Sequence, residues 1–278
     1  MPLLTVNELE KLSPVFRGRF GNAFASSLMH LLDVDDVNDL YDRYPSLHGP
    51  DFASAVLEDI GLRCEVLSSG TLRDILPEGP FITVSNHPCG HVDGIALVDI
   101  FGHLRPDYKV MVNRILSRIE NLGDNFIPVT PVGKERTAPS ASSINGVKAA
   151  LRHLREGGAL GLFPSGAVSD LCLKNGCVRD RPWQESVLKL IMKAEVPVVP
   201  VRFYDGNSPL YYGLGLIDWR VRLLRLPSEV FNKRGKVMRI GVGPVISVEQ
   251  LARYREDICS FGAFLRSQVY GMEFPDIG

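Results

Sequence analysis

A short stretch of chain, VSNHPCGHVDG at residues 84–94, carries the side chains most able to do chemistry. A zinc site would draw on imidazole and carboxylate ligands, here His87, His91 and Asp93, with His103 as a fourth. A covalent site at Cys89 would need a nearby base and a lowered thiol pKa. A neutral His87, with Asp93 on its second ring nitrogen, would take a proton from a hydroxyl group near neutral pH.

The elements around this stretch decide which of those groups meet. The run FITVS at residues 81–85 predicts a buried strand, so the cluster follows the carboxyl end of a strand, where α/β sheets form ligand crevices. Pro88 keeps His87 extended, and Gly90 permits a tight turn. Asp93 is predicted to be the N-cap of the helix GIALVDIFGHL. We expect His87 and Asp93 to meet across this turn; in the alternative interpretation, Asp93 only caps the helix and the histidines lie on the surface.

From about residue 78, short β-rich runs alternate with patterns of helical spacing. This alternation predicts an α/β sheet with helices on both faces. The predicted strands are FITVS at 81–85, YKVMV at 108–112, NFIPV at 125–129, ALGLF at 159–163, PVVPVRF at 197–203 and VMRIGVG at 237–243. Within its run, Pro200 predicts a strand end or a bulge.

Apolar residues at helical spacing mark both ends of the chain. Residues 1–65 are predicted to be helical, with Asp51 as a helix N-cap. Near the other end, one helix is predicted through Leu251, Tyr254, Ile258, Phe261 and Leu265. The expected organisation is an N-terminal helical segment, 1–65, followed by an α/β domain, 66–278.

The composition narrows the class of protein. Hydrophobic residues make up 45% of the 278 residues, which is enough for a sizeable core. The formal net charge is −1, so no global charge favours nucleic acid, and none is expected as a partner. Five scattered cysteines favour a reducing compartment over a disulfide framework. We expect no signal peptide and, without a run of about 18 apolar residues, no transmembrane helix.

The segment NHPCGHVDG resembles the Asn-His-Pro-x-Gly-x-x-Asp-Gly signature of the ornithine-lipid and glycine-lipid O-acyltransferase branch of the lysophospholipid and glycerolipid acyltransferase superfamily. The resemblance extends over residues 30–245, approximately. The other matching stretches follow in order: NFIPV at 125–129, GGALGLFPSGAVSD at 157–170, RDRPWQESVLKL at 179–190, VPVVPVRFYDGNSPLYY at 196–212 and LLRLPSEVFNKRGKVMRIGVG at 223–243.

This resemblance implies a central, mostly parallel mixed sheet flanked by helices, and O-acyl transfer from a thioester to a lipid hydroxyl. His87 would be the general base and Asp93 its partner, with direct attack on the thioester and no acyl-enzyme, cofactor or metal. The expected substrate-binding residues are Asn86, Gly90, Gly94, Pro164, Ser165, Gly166, Arg179 and Arg181. The two arginines would hold a carboxylate or a phosphate; alternatively, they pair with Asp180 and Asp170 on the surface.

Two departures from the superfamily pattern bear on mechanism and acceptor. Five residues separate His87 from Asp93 where four are usual, so a different turn must join them. The block FPSGAVSD has neither the Glu nor the Arg of the Glu-Gly-Thr-Arg block that phosphate-acceptor members carry. This favours a mono-acylated amino-acid lipid, lyso-glycine or lyso-ornithine lipid, as acceptor. The alternatives are a 1-acylglycerol-3-phosphate acyltransferase, a metallohydrolase and a non-catalytic lipid-binding module.

The expected partners are acyl carrier protein or acyl-CoA as donor, a lyso-lipid acceptor and a membrane surface. Residues 211–236 mix aromatic and basic residues, which suits an anionic interface on the cytoplasmic, inner face of the cell membrane. The alternative is a solvated face over a small apolar cluster. A second candidate docking helix carries Phe16, Phe20 and Phe24, which would otherwise pack on the main domain.

Overall fold

The computed structural model describes residues 18–130 and 141–273. Its strands are β1 (Arg63–Leu67), β2 (Phe81–Ser85), β3 (Lys109–Asn113), β4 (Phe126–Val129), β5 (Ala159–Leu162), β6 (Asp170–Cys172), β7 (Cys177–Arg179), β8 (Val198–Phe203) and β9 (Val237–Val242). Its helices before β5 are α1 (Gly18–Leu31), α2 (Val34–Asp42), α3 (Gly49–Asp59), α4 (Leu72–Ile75), α5 (His91–Gly102) and α6 (Ala141–Arg155). Later helices are α7 (Glu185–Ala194), α8 (Pro209–Ile217), α9 (Trp219–Leu224), α10 (Leu226–Phe231), α11 (Val248–Ala252) and α12 (Ile258–Tyr270).

In the described residues, seven strands form one sheet in the order β1-β9-β8-β2-β5-β3-β4. Neighbours pair in parallel except β8 and β9, which are antiparallel. The predicted mostly parallel mixed sheet is therefore confirmed. β2 is buried along its whole length because it lies between β8 and β5 with helices over both faces. A separate antiparallel hairpin, β6–β7, lies outside the sheet.

The N-terminal helices belong to the same apolar core as the sheet. Buried side chains of α2 and α3, including Leu40 and Phe52, share one cluster with Phe101 of α5 and Phe81 of β2. β1 lies across the proposed boundary at residue 65 and was not predicted, because its edge position leaves it without a buried apolar run. The division into two segments stays a prediction. Phe16 lies outside the described residues, as do the side chains of Phe20 and Phe24.

Two predictions about helix starts were wrong. The helix predicted through Leu251–Leu265 is two helices, α11 and α12. Asp257 caps the second by accepting a hydrogen bond from the Cys259 backbone N–H at 2.9 Å. Asp51 is not an N-cap; α3 begins at Gly49 after His48, and Asp51 lies in its first turn.

Pro200 was predicted to mark a strand end or a bulge. It does not end β8 but lies within it, opposite Val84 of β2, and the irregularity is in the pairing with β9. β8 pairs with β9 only over Val201–Phe203, and pairing resumes at the single bridge between Val198 and Ile246. No helix in the described ranges is both long enough and apolar enough to cross a lipid bilayer.

Candidate active site

The loop after β2 is fixed to the neighbouring strand β8 at its first residue. The buried Asn86 side chain accepts the Phe203 backbone N–H at 2.8 Å and donates to the Phe203 carbonyl at 2.8 Å. Asn86, predicted to bind substrate, thus has both side-chain polar atoms engaged by the fold. It sets the point at which His87 leaves the sheet edge.

Gly90 determines how the chain turns from this loop into α5. Its φ of 73° is in the left-handed region, and an added Cβ would lie 2.9 Å from a methyl group of Leu226. The helix therefore begins at His91, with Gly90 as its N-cap. The prediction that Asp93 is the N-cap was wrong, because this turn starts the helix two residues before Asp93. The Asp93 carboxylate instead reaches back and accepts the Cys89 backbone N–H at 2.9 Å.

His87 and Asp93 meet as predicted, with 3.0 Å between His87 Nδ1 and Asp93 Oδ2. The Asp93 side chain is fully buried, and the His87 side chain is 17% exposed. The imidazole stacks on Phe163, with ring centroids 4.1 Å apart. Because Asp93 accepts at Nδ1, the tautomer has its proton there, and Nε2 presents a lone pair. No group in the described part of the chain binds Nε2.

A buried carboxylate on the other side of the loop holds the backbone of His87. Asp180 Oδ1 accepts the His87 backbone N–H at 3.1 Å and the Ser169 hydroxyl at 2.5 Å. The Ser169 backbone N–H donates to the His87 carbonyl at 2.8 Å, and Trp183 Nε1 donates to Asp180 Oδ2 at 3.1 Å. Burial raises the pKa of Asp180, and these hydrogen bonds oppose that rise. Asp180 is thus a positioning residue for His87. Its only signal in the sequence was its place in the matching stretch RDRPWQES.

We predict that Asp180→Asn lowers kcat about tenfold and changes KM little. The introduced amide nitrogen would face the Trp183 N–H, so two donors meet and the loop carrying His87 shifts; such a mismatch costs about 1–3 kcal/mol. Steady-state kinetics with both substrates would measure the split between kcat and KM.

The matched control is Trp183→Phe, which removes the opposing donor. The double variant Asp180→Asn/Trp183→Phe should recover most of the lost kcat, since its amide nitrogen no longer meets a donor. A lower melting temperature with unchanged kcat in Asp180→Asn would show that Asp180 only supports the fold.

The geometry gives the covalent cysteine site and the metal site less support than the His87–Asp93 pair. Burial raises the pKa of the Cys89 thiol well above its ordinary value, so the thiol stays protonated. Burial lowers the pKa of His91 to about 4, and its Nε2 is buried without a partner. His103 is directed toward Ser54, 3.0 Å away. Within residues 18–130 and 141–273, no three His, Cys, Asp or Glu side chains converge as metal ligands.

Of the remaining predicted residues, Pro164, Ser165 and Gly166 lie in the loop that follows β5, and Gly94 lies in α5. Pro164 and Ser165 are buried, and the Ser165 hydroxyl donates to the Ala167 carbonyl at 2.7 Å. Gly166 has a φ of 63°, and an added Cβ would collide with the Gln184 amide. Gly94, in α5, is buried, yet an added Cβ would meet open space. Their role in substrate binding stays a prediction.

The two predicted arginines, Arg179 and Arg181, have different partners in the structure. Arg181 pairs with Asp170, as the surface alternative predicted. Arg179 is exposed and lies over the ring of Tyr270, 5.1 Å from its centroid. Asp180 is buried and accepts from Ser169 and Trp183 rather than pairing with Arg179.

Comparison with known proteins identifies the family. Residues 10–273 match the family model described as Acyltransferase. The lyso-glycine lipid O-acyltransferase of Bacteroides thetaiotaomicron is 27% identical over 229 residues, covering 80% of this chain and 79% of that protein. The enzyme of the same name from Phocaeicola vulgatus is 25% identical over 253 residues, covering 88% of this chain and 86% of that protein.

Among solved structures, the 1-acyl-sn-glycerophosphate acyltransferase PlsC of Thermotoga maritima aligns with a TM-score of 0.43 and 15% identity, over 81% of this chain and 83% of that one. The family match spans nearly the whole sequence and includes the His87–Asp93 turn. The chain therefore belongs to the acyltransferase family and is an enzyme of the acyltransferase class.

Proposed function

We propose that this enzyme transfers a fatty acyl group from a thioester to the hydroxyl of a mono-acylated amino-acid lipid, with lyso-glycine lipid as the first candidate. The observation that carries the proposal is the 3.0 Å contact between His87 Nδ1 and Asp93 Oδ2, which leaves Nε2 open on a fixed loop. Two relatives named for lyso-glycine lipid, at 25–27% identity, support this acceptor.

The pair supplies general base and general acid catalysis in turn. His87 Nε2 takes the proton of the acceptor hydroxyl as its oxygen attacks the thioester carbonyl. Asp93 stabilises the imidazolium and keeps its ring orientation. The tetrahedral intermediate then expels the thiolate, the C–S bond breaks, and the imidazolium returns the proton to sulfur. An ester and a free thiol result, and no acyl group is attached to the protein.

The choice of acceptor rests on the block after β5. Its sequence, FPSGAVSD, lacks the Glu and Arg that would bind a phosphate in the superfamily's phosphate-acceptor members, and Arg181 is already paired with Asp170. An acceptor that carries one carboxylate needs fewer cationic side chains in its binding site than a phosphate monoester does. Lysophosphatidic acid is the second candidate.

The test is a transfer assay on the purified protein. Lyso-glycine lipid, lyso-ornithine lipid and lysophosphatidic acid are each supplied with palmitoyl-CoA or palmitoyl-acyl carrier protein, and diacylated products are measured by mass spectrometry. The proposal expects turnover with an amino-acid lipid. Faster turnover with lysophosphatidic acid would contradict it. Binding of lyso-lipid without any consumption of thioester would favour the lipid-binding module.

We further propose that the enzyme is peripheral on the inner face of the cell membrane and that α8 and α9 lie against the lipid. Leu210 and Ile217 lie seven residues apart on one helix face and are 54% and 80% exposed. Leu216 and Leu223 add further exposed apolar surface.

Fewer basic side chains of residues 211–236 are exposed in the structure than the sequence predicted. Arg222 and Lys233 are only 3% and 5% exposed, because Arg222 pairs with Asp170 and Lys233 donates to Asn207 and the Gly206 carbonyl. Neither can therefore contact lipid head groups. Apolar contact is the main support for docking here.

We predict that Ile217→Asp weakens binding to vesicles of anionic phospholipid about tenfold or more. The side chain is 80% exposed, so the fold tolerates the change, while burial of an isoleucine is worth about 1.5–3 kcal/mol and a carboxylate adds repulsion. Vesicle co-sedimentation would measure it. Ile144→Asp, on α6 and 46% exposed, is the control and should bind as the unmodified enzyme does. An equal loss in both variants would contradict docking through α8.

A further inference from the structure

Three guanidinium groups surround the ring of Tyr270 at the end of α12. Arg179, Arg266 and Arg202 lie 5.1, 5.2 and 5.8 Å from its centroid. These three residues are called the arginine cluster. An aromatic ring attracts a cation through its faces, but three cations on one ring also repel each other. Such an arrangement is stabilised when an anion joins it.

No carboxylate pairs with the arginine cluster in the part of the chain that the structure describes. Arg202 donates to two carbonyl oxygens at the end of α12, and Arg266 donates to the carbonyls of Asp180 and Arg181 at 2.7 and 2.9 Å. These neutral acceptors satisfy hydrogen bonds and leave the charges in place. The C-terminal end of a helix supplies about −0.5 of an elementary charge, which offsets only a fraction of three cations.

Two acidic side chains beside the cluster, Asp170 opposite Arg179 in the hairpin and Asp180 next to it in the chain, have other partners. Asp170 already pairs with both Arg181 and Arg222. Asp180 accepts hydrogen bonds from uncharged donors on His87, Ser169 and Trp183. The cluster therefore carries excess positive charge beside the loop of His87. Planar guanidinium groups match the oxygens of a phosphate, so a phosphate ester is the ligand class that fits best.

The hairpin β6–β7 lies between this cluster and helices α8 and α9 and contacts both. Leu171 and Val178 pair across the hairpin and pack in one cluster with tyrosines of α8. Because side chains alternate along a strand, Arg179 faces the opposite side of the hairpin. There, the Tyr270 hydroxyl accepts the Asp180 backbone N–H at 2.8 Å. The cluster thus adjoins the catalytic loop through Tyr270. Asp170, directly opposite Arg179 on the hairpin, pairs with Arg222 of α9.

We propose that the arginine cluster binds the phosphate group of the thioester donor. The proposal rests on the proposed function and adds the donor's binding site to it. The proposed amino-acid lipid acceptor carries no phosphate, whereas acyl-CoA and acyl carrier protein both do, so a phosphate site beside the catalytic loop would serve the donor. Arg179 keeps its predicted role as an anion ligand, whereas Arg202 and Arg266 replace Arg181, which is paired with Asp170.

Arg179→Ala tests the site without disturbing the backbone, because Arg179 is exposed and lies on the Tyr270 ring. The probes are palmitoyl-CoA or palmitoyl-acyl carrier protein, whichever the unmodified enzyme uses, and palmitoyl-N-acetylcysteamine, a thioester without phosphate. We expect the KM for the phosphate-bearing donor to rise about tenfold, as the loss of one charge-assisted contact implies. The KM for the phosphate-free thioester and kcat should stay unchanged.

The control is Arg253→Ala, an exposed arginine on the turn after α11, which should change neither KM. Arg179→Glu should raise the KM for the phosphate-bearing donor further than Arg179→Ala. Equal effects on both donors, no effect in either variant, or a rise confined to the KM of the lyso-lipid would each overturn the proposal. The absence of transfer by the unmodified enzyme from every donor would instead refute the proposed function.

Discussion

His87→Ala should lower kcat about 10²- to 10⁴-fold, which is the usual contribution of a general base. The imidazole is the group whose open nitrogen can reach a substrate hydroxyl, since Asp93 holds its Nδ1 and Phe163 supports its ring. The backbone N–H and carbonyl of residue 87 bind Asp180 and Ser169 and do not depend on the side chain. The fold should therefore survive, with a far-ultraviolet spectrum unchanged and lyso-lipid binding retained.

Cys89→Ala is the matched control for this experiment, because it removes the other nucleophilic side chain of the same loop. Cys89 is 1% exposed, and its thiol lies 3.5 Å from the Asp205 carbonyl, so its loss should cost some stability and keep kcat within about twofold. Abolished transfer in Cys89→Ala together with an acyl-enzyme in the unmodified protein would replace the direct mechanism by a covalent one. Full activity of His87→Ala would show that His87 is not the general base.

Asp93→Asn should lower kcat by about the same factor, 10²- to 10⁴-fold, although it changes one atom. One oxygen of Asp93 now accepts from both the Cys89 backbone N–H and His87 Nδ1. An introduced amide whose oxygen keeps both bonds places its NH₂ group at the position of Asp93 Oδ1, which is buried without a partner among the described residues. The buried NH₂ group then has no acceptor, and the imidazolium formed in the reaction loses the carboxylate charge that stabilises it.

The measurement is single-turnover transfer across pH, with circular dichroism to confirm the fold. Asp99→Asn is a control on the same helix, where the carboxylate is bonded to Ser54 and lies away from His87. It should keep kcat within about threefold, as expected for a change outside the reacting groups. If Asp93→Asn retains more than a tenth of the activity, Asp93 contributes packing rather than stabilisation of the imidazolium.

The contrast between β2 and β1 shows what local sequence predicts about this fold. FITVS is apolar throughout because both its faces are covered, and its bounds agree with the prediction. RCEVL in β1 has only one neighbour, β9, and no fully buried residue, so its pattern is weak. Strand prediction succeeded where buried residues dictate composition, including Phe126 and Ile127 of the other edge strand, β4, and failed at β1, which has none.

Asp180 and the arginine cluster show what sequence could not predict about the site. Asp180 lies 93 residues from His87 along the chain, and its hydrogen bond to the backbone of His87 leaves no trace in the types of neighbouring residues. Likewise, Arg179 and Arg181 are equivalent in sequence, yet one lies exposed on Tyr270 and the other pairs with Asp170. Which of the two arginines forms an ion pair depends on which acidic side chain the fold brings near it.

The sequence by itself determined the family, the mixed α/β sheet and the meeting of His87 with Asp93, because each follows from residues close together in the chain or from apolar runs. Tertiary structure alone decided that Gly90 rather than Asp93 caps α5, that Asp180 holds the loop, and that Arg222 and Lys233 are buried. Those outcomes depend on contacts between distant segments, whose packing selects one partner among many chemically equal ones.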